Sequence, residues 1–120
     1  MTMKRTWLAA LAVFGWVALS TAASFGAEGE WLTDFEQAKK VAAEKKLPIL
    51  MDFSGSDWCI WCKRLEAEVL TEDAFKEYAK KNLVLFLADF PMRKEQGQEE
   101  KTQNRKLQQT YGVRGFPTVL

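Results

Sequence analysis

The residues of this chain best suited to chemistry are two cysteines, Cys59 and Cys62, within the stretch DFSGSDWCIWCKRL (residues 52–65). They are the only cysteines among 120 residues, and the chain contains no histidine. Two thiols separated by two residues can bind a metal, form a structural disulfide or exchange electrons with another disulfide. These three interpretations make different demands on the rest of the chain.

The metal and structural interpretations are the weaker ones. A structural zinc site uses four cysteine or histidine ligands, and this chain supplies two. A disulfide between Cys59 and Cys62 would close a loop with only two residues inside it, and stabilisation by cross-linking grows with loop length. We therefore predict no metal site and no cofactor, and we favour disulfide exchange.

Exchange chemistry gives the two cysteines different roles. The stretch PILMDF (48–53) predicts a buried strand, which is followed by a turn and then by a helix that begins near Cys59. Free N–H groups and the dipole at a helix start favour a thiolate, which is the nucleophile. We expect Cys59, the more exposed cysteine, to attack a substrate disulfide. Cys62, one helical turn further on, would resolve the mixed disulfide.

The first 24 residues have the three-part pattern of a secretory signal peptide. Lys4 and Arg5 form a basic start, an uncharged apolar run of 13 residues extends from Trp7 to Leu19, and small residues follow. The run is shorter than the roughly 20 residues of a membrane-crossing helix, so a cleaved leader is favoured over the alternative of an N-terminal membrane anchor. Cleavage fits between residues 23 and 27, which leaves a domain over 28–120.

Net charge and compartment limit the partners. The formal net charge is +1, and it becomes −1 when the leader is removed with its two basic residues. A near-neutral chain lacks the basic surface that binds nucleic acid, so we predict no nucleic-acid partner. An exported chain would work in the periplasm or outside the cell, where disulfides persist. The leader therefore favours disulfide chemistry.

Apolar periodicity predicts the element order helix, strand, helix, helix, strand, helix, strand after the leader. The stretch LVLFLADF (83–90) predicts the second buried strand, and GFPTVL (115–120) opens the third. Continuously apolar strands that alternate with helices indicate an α/β fold with a parallel sheet. The polar stretch 91–106 predicts a solvated loop that grades into a helix.

Several element boundaries are also predicted. Thr33 with Glu36 forms a capping-box pattern for the first helix, and Thr71 has the position of an N-cap for the third. Gly112 is expected to cap the last helix, whose core contacts would be Leu107 and Tyr111. These boundaries place the cysteine pair where the first strand meets the second helix.

Two motifs together resemble the thioredoxin superfamily. ILMDFSGSDWCIWCKRL (49–65) is similar to the family's active-site segment, with an apolar strand, Asp-Phe, a short turn and Trp-Cys-x-x-Cys-Lys. YGVRGFPT (111–118) is similar to its Tyr-Gly-(Val/Ile)-Arg-Gly-x-Pro-Thr segment. The resemblance covers about residues 31–120, and it extends to exported bacterial thioredoxin-like proteins with a Trp-Cys-x-Trp-Cys motif. It implies a thioredoxin-like α/β fold with a central mixed sheet flanked by helices.

The resemblance assigns roles to further residues. Asp52 matches the family's buried acid, which relays a proton to the resolving cysteine, and burial raises the pKa of a carboxyl toward neutrality. Its alternative role is a satisfied carboxylate that caps the turn. Trp58 would shield the site and offer an apolar docking face. Pro117 matches the family's cis-proline facing the Cys59–Cys62 disulfide, and the backbone of Phe116 would pair with an extended substrate. The alternative is an ordinary trans proline.

The chain departs from the family pattern in three places. The turn SGSDW (54–58) is one residue longer than in ordinary thioredoxin, and Ile60 and Trp61 replace the central Gly-Pro pair that influences redox poise. The sequence also stops where the family continues with a hairpin strand and a final helix. We expect a domain that is incomplete at its C-terminus and marginally stable.

These observations predict an exported thiol–disulfide oxidoreductase that acts on protein thiols and disulfides, as a reductant or isomerase because Asp52 would help Cys62 release the substrate reduced. A membrane thiol-reductant transporter, whose C-terminal domain shares the Asp-Trp-Cys-x-x-Cys-Lys style, is the expected electron donor. Two alternatives remain open: a binding or scaffold module of the same fold, and a redox sensor without turnover.

Overall fold

The computed structural model describes residues 29–120. The predicted leader and its cleavage site lie outside this part of the chain. No helix within residues 29–120 is long and apolar enough to cross a membrane.

A four-stranded sheet forms the centre of the domain. Its strands are β1 (Trp31–Leu32), β2 (Ile49–Ser54), β3 (Val84–Asp89) and β4 (Thr118–Val119), in the spatial order β1-β3-β2-β4. β1 and β2 run parallel to β3, and β4 runs antiparallel to β2. The predicted mixed sheet is therefore confirmed. The two-residue β1 was not predicted, because a strand this short has no periodicity of its own.

Four helices flank the sheet, in the predicted number and order. They are α1 (Phe35–Lys45), α2 (Ile60–Leu65), α3 (Asp73–Asn82) and α4 (Gln98–Thr110). α2 continues directly into one π-helical turn, Glu66–Leu70. The second predicted helix is thus one continuous helix whose last turn is a π-helical turn. Such turns are often found near functional sites.

The sheet has an apolar face and a more polar face. Side chains alternate along β2 and β3, so Met51, Phe53 and Phe86 point to the side of α1 and α4. Asp52 and Leu87 point to the other side, toward α2 and α3. The core on the apolar face consists of ten buried residues: Leu32, Ala38, Val41, Met51, Phe53, Val84, Phe86, Ala88, Leu107 and Val113. This three-layer arrangement confirms the predicted α/β architecture with flanking helices.

Two of the predicted helix caps were wrong. Asp34, not Thr33, is the N-cap of α1, and its carboxylate accepts a hydrogen bond from the Gln37 N–H at 3.1 Å. The Thr71 hydroxyl donates backward to the Glu66 carbonyl at 2.9 Å and closes the π-helical turn, while α3 begins two residues later. Both errors are shifts of the cap by one residue, to Asp34 in α1 and to Glu72 in α3, where the Glu72 side chain makes no capping hydrogen bond.

The polar segment before and within α4 is more than solvated surface. Asn104 is fully buried, and its amide donates to the Asp89 carbonyl at the end of β3 (3.0 Å). The neighbouring Gln103 accepts from the Phe35 N–H and donates to the Thr33 carbonyl, which joins α4 to the start of α1. Leu107 is buried as predicted, whereas Tyr111 is exposed and the prediction that it contacts the core was wrong.

Asn104→Ala should destabilise the chain by about 1–3 kcal/mol, because it removes a buried hydrogen bond to the Asp89 carbonyl, which keeps only the Gln96 amide as a side-chain donor, and opens space in the core. The free energy of unfolding measured with denaturant tests this expectation. Gln109→Ala, at an exposed position of the same helix, is the matched control and should change stability by less than about 0.5 kcal/mol. Equal effects of the two substitutions would contradict the structural role of Asn104.

Candidate active site

The two cysteines form a disulfide at the point where the turn after β2 becomes α2. Cys59 is the N-cap of α2, and its Sγ accepts a hydrogen bond from the Cys62 N–H at 3.2 Å. The Cα atoms of the pair are 5.3 Å apart, within the usual range for a disulfide. A sulfur that accepts from a helix N–H is positioned for stabilisation as a thiolate once the disulfide is reduced. The predicted helix start at Cys59 is confirmed.

The expectation that Cys59 is the more exposed cysteine was wrong for the disulfide form, since each cysteine is 5% exposed. The exposed residues are instead the two between them, Ile60 at 66% and Trp61 at 62%. The Arg64 guanidinium lies 5.2 Å from the centre of the Trp61 ring, on the outer face of α2. The disulfide therefore lies just beneath an apolar rim, which a substrate would meet first.

Asp52 lies on β2, buried beneath the disulfide turn. Its Oδ1 has no hydrogen-bond partner in the described part of the chain, so the alternative that this carboxylate caps the turn was wrong. Burial is the main cause that raises the pKa of Asp52 to about 6, and the negative charges of Glu66 and Asp89 add to it. An unpartnered carboxyl with this pKa can exchange a proton near neutral pH.

A cavity of about 630 Å³ connects Asp52 with Cys62. It lies on the polar face of the sheet, and Glu66 and Leu70 from the helical side also line it. Lys94 reaches the same cavity from the loop after β3. Cys62 and the buried carboxyl of Asp52 thus share one solvent-accessible space. Residues 29–120 contain no cluster of three or more metal-ligating side chains.

Trp58 packs tightly against the turn that precedes the disulfide. Its indole Nε1 donates to the Phe90 carbonyl at 2.7 Å, and its ring meets Phe116 edge-on with centroids 5.8 Å apart. A Cβ atom built on Gly55 would clash with the Trp58 ring, so only glycine leaves room for the indole there. Trp58 is 37% exposed and can still offer part of its ring to a partner.

The segment before β4 approaches the site from the opposite side. The Phe116–Pro117 peptide bond is cis, and the Phe116 ring lies between Trp58 and Phe90, 5.0 Å from the latter. Thr118 then pairs with Phe53 of β2. The structure thus places the Phe116 ring against Trp58, the residue that precedes Cys59.

Three polar residues at the site were not predicted. The Ser56 N–H and hydroxyl donate to the two oxygens of the Asp89 carboxylate at 2.9 and 2.6 Å. The Asp57 carboxylate accepts from three consecutive N–H groups that begin at Met92. The only sequence signal for these hydrogen bonds was the presence of Ser and Asp in the turn, because these residue types often bond nearby backbone groups. Their actual partners are more than 30 residues away, which no local pattern identifies.

Asp52→Asn should change the pH dependence of stability. Because the pKa of Asp52 is about 6 rather than 3.8, the folded chain binds a proton that the unfolded chain releases between these values. The free energy of unfolding of the oxidised wild type should therefore fall as pH rises through this window. Removing the carboxyl should make Asp52→Asn gain about 1–3 kcal/mol relative to the wild type between about pH 4 and about pH 7.

Denaturant unfolding at several pH values measures this gain. Glu44→Gln, at an exposed carboxyl on α1, is the control and should follow the wild-type pH profile. A constant difference between Asp52→Asn and the wild type at all pH values would show that Asp52 ionises normally.

Comparisons with known proteins agree with this geometry. A family model described as a thioredoxin-like domain matches residues 35–120. The disulfide bond reductase DsbH of Chlamydia pneumoniae is 33% identical over 86 residues, which cover 72% of this chain and 52% of that protein. The thioredoxin-related protein DsbJ of the same organism is 27% identical over 90 residues, covering 75% of this chain and 26% of that protein.

A solved structure shows the same fold. The DsbH oxidoreductase superposes with a TM-score of 0.72 at 30% identity, over 88% of this chain and 72% of that chain. The chain spans about half the length of the first curated relative and about a quarter of the second. On the family match, the shared fold and the cysteine pair at the start of α2, this chain belongs to the thioredoxin-like domain family.

Proposed function

We propose that the chain is a thiol–disulfide oxidoreductase that reduces disulfides in other proteins through Cys59 and Cys62. The observation that carries this proposal is the pairing of a disulfide at a helix start with a buried, unpartnered carboxyl, Asp52, that shares its cavity. A structural cross-link has no use for such a carboxyl, whereas disulfide exchange requires a proton acceptor. The alternatives of a scaffold module or a sensor without turnover leave Asp52 unexplained.

The first step is an attack by the reduced form. The Cys59 thiolate, supported by the Cys62 N–H, attacks one sulfur of a substrate disulfide. A bond forms between that sulfur and Cys59, and the second substrate sulfur leaves as a thiolate, which takes a proton from solvent. The exposed rim of Ile60 and Trp61 supports the encounter, because it presents apolar surface directly above the cysteines.

The second step releases the substrate. The Cys62 thiol gives its proton to the Asp52 carboxylate, and the resulting thiolate attacks the Cys59 sulfur of the mixed disulfide. The Cys59–Cys62 disulfide forms, and the substrate sulfur that was bonded to Cys59 leaves as a thiolate, which takes a proton from solvent. Two electrons have passed from the chain to the substrate. The oxidised chain then needs an external dithiol to regenerate its own.

Two observations support the proposed direction of electron flow, from the chain to its substrate. A proton acceptor at Cys62 accelerates release of a reduced substrate, and the relative at 33% identity is named a disulfide bond reductase. The oxidised chain would receive electrons from a dithiol protein such as a membrane thiol-reductant transporter. The leader pattern of residues 1–24 supports an exported protein that works in the periplasm or outside the cell.

Insulin reduction by dithiothreitol tests the activity. The wild-type chain should accelerate the appearance of turbidity, because Cys59 attacks the insulin disulfides faster than dithiothreitol does. Cys59→Ser should give no acceleration, and Cys62→Ser should accumulate a mixed disulfide that is visible on a non-reducing gel. If the wild type fails to accelerate the reaction, the oxidoreductase proposal is wrong and a binding module of the same fold replaces it.

Asp52→Asn tests the proton transfer. The variant should slow the release of reduced substrate about tenfold or more, because a positioned base contributes at least that much to proton transfer. The wild-type release rate should fall as pH drops through about 6, where Asp52 becomes protonated, and the variant should lose this dependence. Rapid acid quench of the mixed disulfide at several pH values measures both effects. A pH profile shared by variant and wild type would assign the proton to another group.

A further inference from the structure

The loop between β3 and α4, residues 90–97, lies beside the disulfide turn and is bound to it by one carboxylate. The Asp57 Oδ1 accepts from the Met92 N–H at 2.9 Å, and Oδ2 accepts from the N–H groups of Arg93 and Lys94 at 2.7 and 2.9 Å. Asp57 is two residues before Cys59 and 35 residues before the first of these donors. One side chain thus collects three consecutive backbone donors from a distant segment.

These three hydrogen bonds to Asp57, here called the clamp, require a charged carboxylate. The N–H donors, those of Met92 and Lys94 foremost, lower the pKa of Asp57 to about 2. An amide in its place could accept at one atom only, and in either orientation its NH₂ group would face at least one N–H donor. The ionised form is therefore what shapes the loop, and it persists well into acid.

Two further contacts fix the same two segments to each other. The Ser56 N–H and hydroxyl bind the Asp89 carboxylate, which also pairs with the Lys94 ammonium at 3.1 Å. The Trp58 indole binds the Phe90 carbonyl. Each residue of the turn Ser56–Asp57–Trp58 is thus hydrogen-bonded either to Asp89, the last residue of β3, or to the loop that follows this strand. Of these contacts, those of Asp57 hold the backbone of the loop tip, whereas the Asp89–Lys94 ion pair reaches the tip only through the lysine side chain.

The clamped loop presents side chains outward. Met92 is 74% exposed, and Arg93 and Lys94 are also exposed. The Met92 N–H is bonded to the Asp57 carboxylate, two residues before Cys59, so an exposed apolar side chain is anchored by its backbone to the disulfide turn. Methionine adapts its shape to varied apolar partners, which suits a surface that meets different polypeptides.

We propose that Asp57 is a positioning residue that holds the Met92–Lys94 loop beside the disulfide, and that this loop forms part of the surface which contacts protein substrates. The inference rests on the proposed oxidoreductase activity and deepens it. A protein disulfide would touch the loop when it reaches Cys59, whereas a small disulfide such as oxidised glutathione would reach the same sulfur without it.

Paired rate measurements on the full chain test this role. Asp57→Asn should lower kcat/KM for insulin reduction about tenfold, because a displaced loop misaligns the substrate. Its rate with oxidised glutathione, and the equilibrium constant for exchange of its cysteines with glutathione, should stay within about twofold of the wild type. Met92→Ala should reproduce the insulin defect in part. Asp34→Asn, the same substitution at an exposed carboxylate that caps α1, should leave all rates unchanged.

Amide hydrogen exchange gives a readout that does not depend on activity. The N–H groups of Met92, Arg93 and Lys94 should exchange about tenfold faster or more in Asp57→Asn than in the wild type, since they lose their acceptor. Unchanged exchange would show that the clamp does not exist in solution.

The rate measurements have their own contradicting outcomes. Equal losses of rate with insulin and glutathione, or a shifted reduction potential, would show that Asp57 acts on the cysteines and would overturn the loop assignment. A wild type inactive with both disulfides would instead refute the oxidoreductase proposal.

Discussion

The in-register pairing of β2 with β3 is the constraint on which the site depends. Six consecutive residue pairs align these strands, and the last pair joins Ser54 to Asp89. Because the strands are parallel and end at the same level, the turn that carries Cys59 and the loop after β3 leave the sheet side by side. The antiparallel β4 brings Phe116 to the same end from the other side of β2. Three chain segments distant in sequence therefore meet around one disulfide.

Two aspartates five residues apart, Asp52 on β2 and Asp57 in the turn that follows, have opposite electrostatic environments. Asp52 is buried without a partner, which raises its pKa, whereas Asp57 is surrounded by backbone donors, which lower its pKa. The difference is caused entirely by position, because the unperturbed groups are identical. The strand and its turn thus provide one carboxyl that can exchange a proton near neutral pH and one that stays charged and holds the backbone.

Much of the fold could be predicted because its signals are local. The apolar runs of β2 and β3 and the helix start at Cys59 agree with the structure, and Gly112 has the positive φ expected after a helix. The buried Asn104 could not be predicted, since its acceptor lies 15 residues earlier on another element. The roles of Ser56 and Asp57 likewise depend on partners that only the folded sheet brings near.

Because the Trp58 ring lies close to Gly55, the residue types allowed at positions 55 and 58 depend on each other. The indole fills the space that any side chain at position 55 would need. A larger residue there can be accommodated only if a smaller one replaces Trp58, and that exchange would also give up the bond to the Phe90 carbonyl. The two positions should therefore vary together in relatives that keep this turn length. A relative in which one of them has changed should have different packing of the turn that precedes the disulfide.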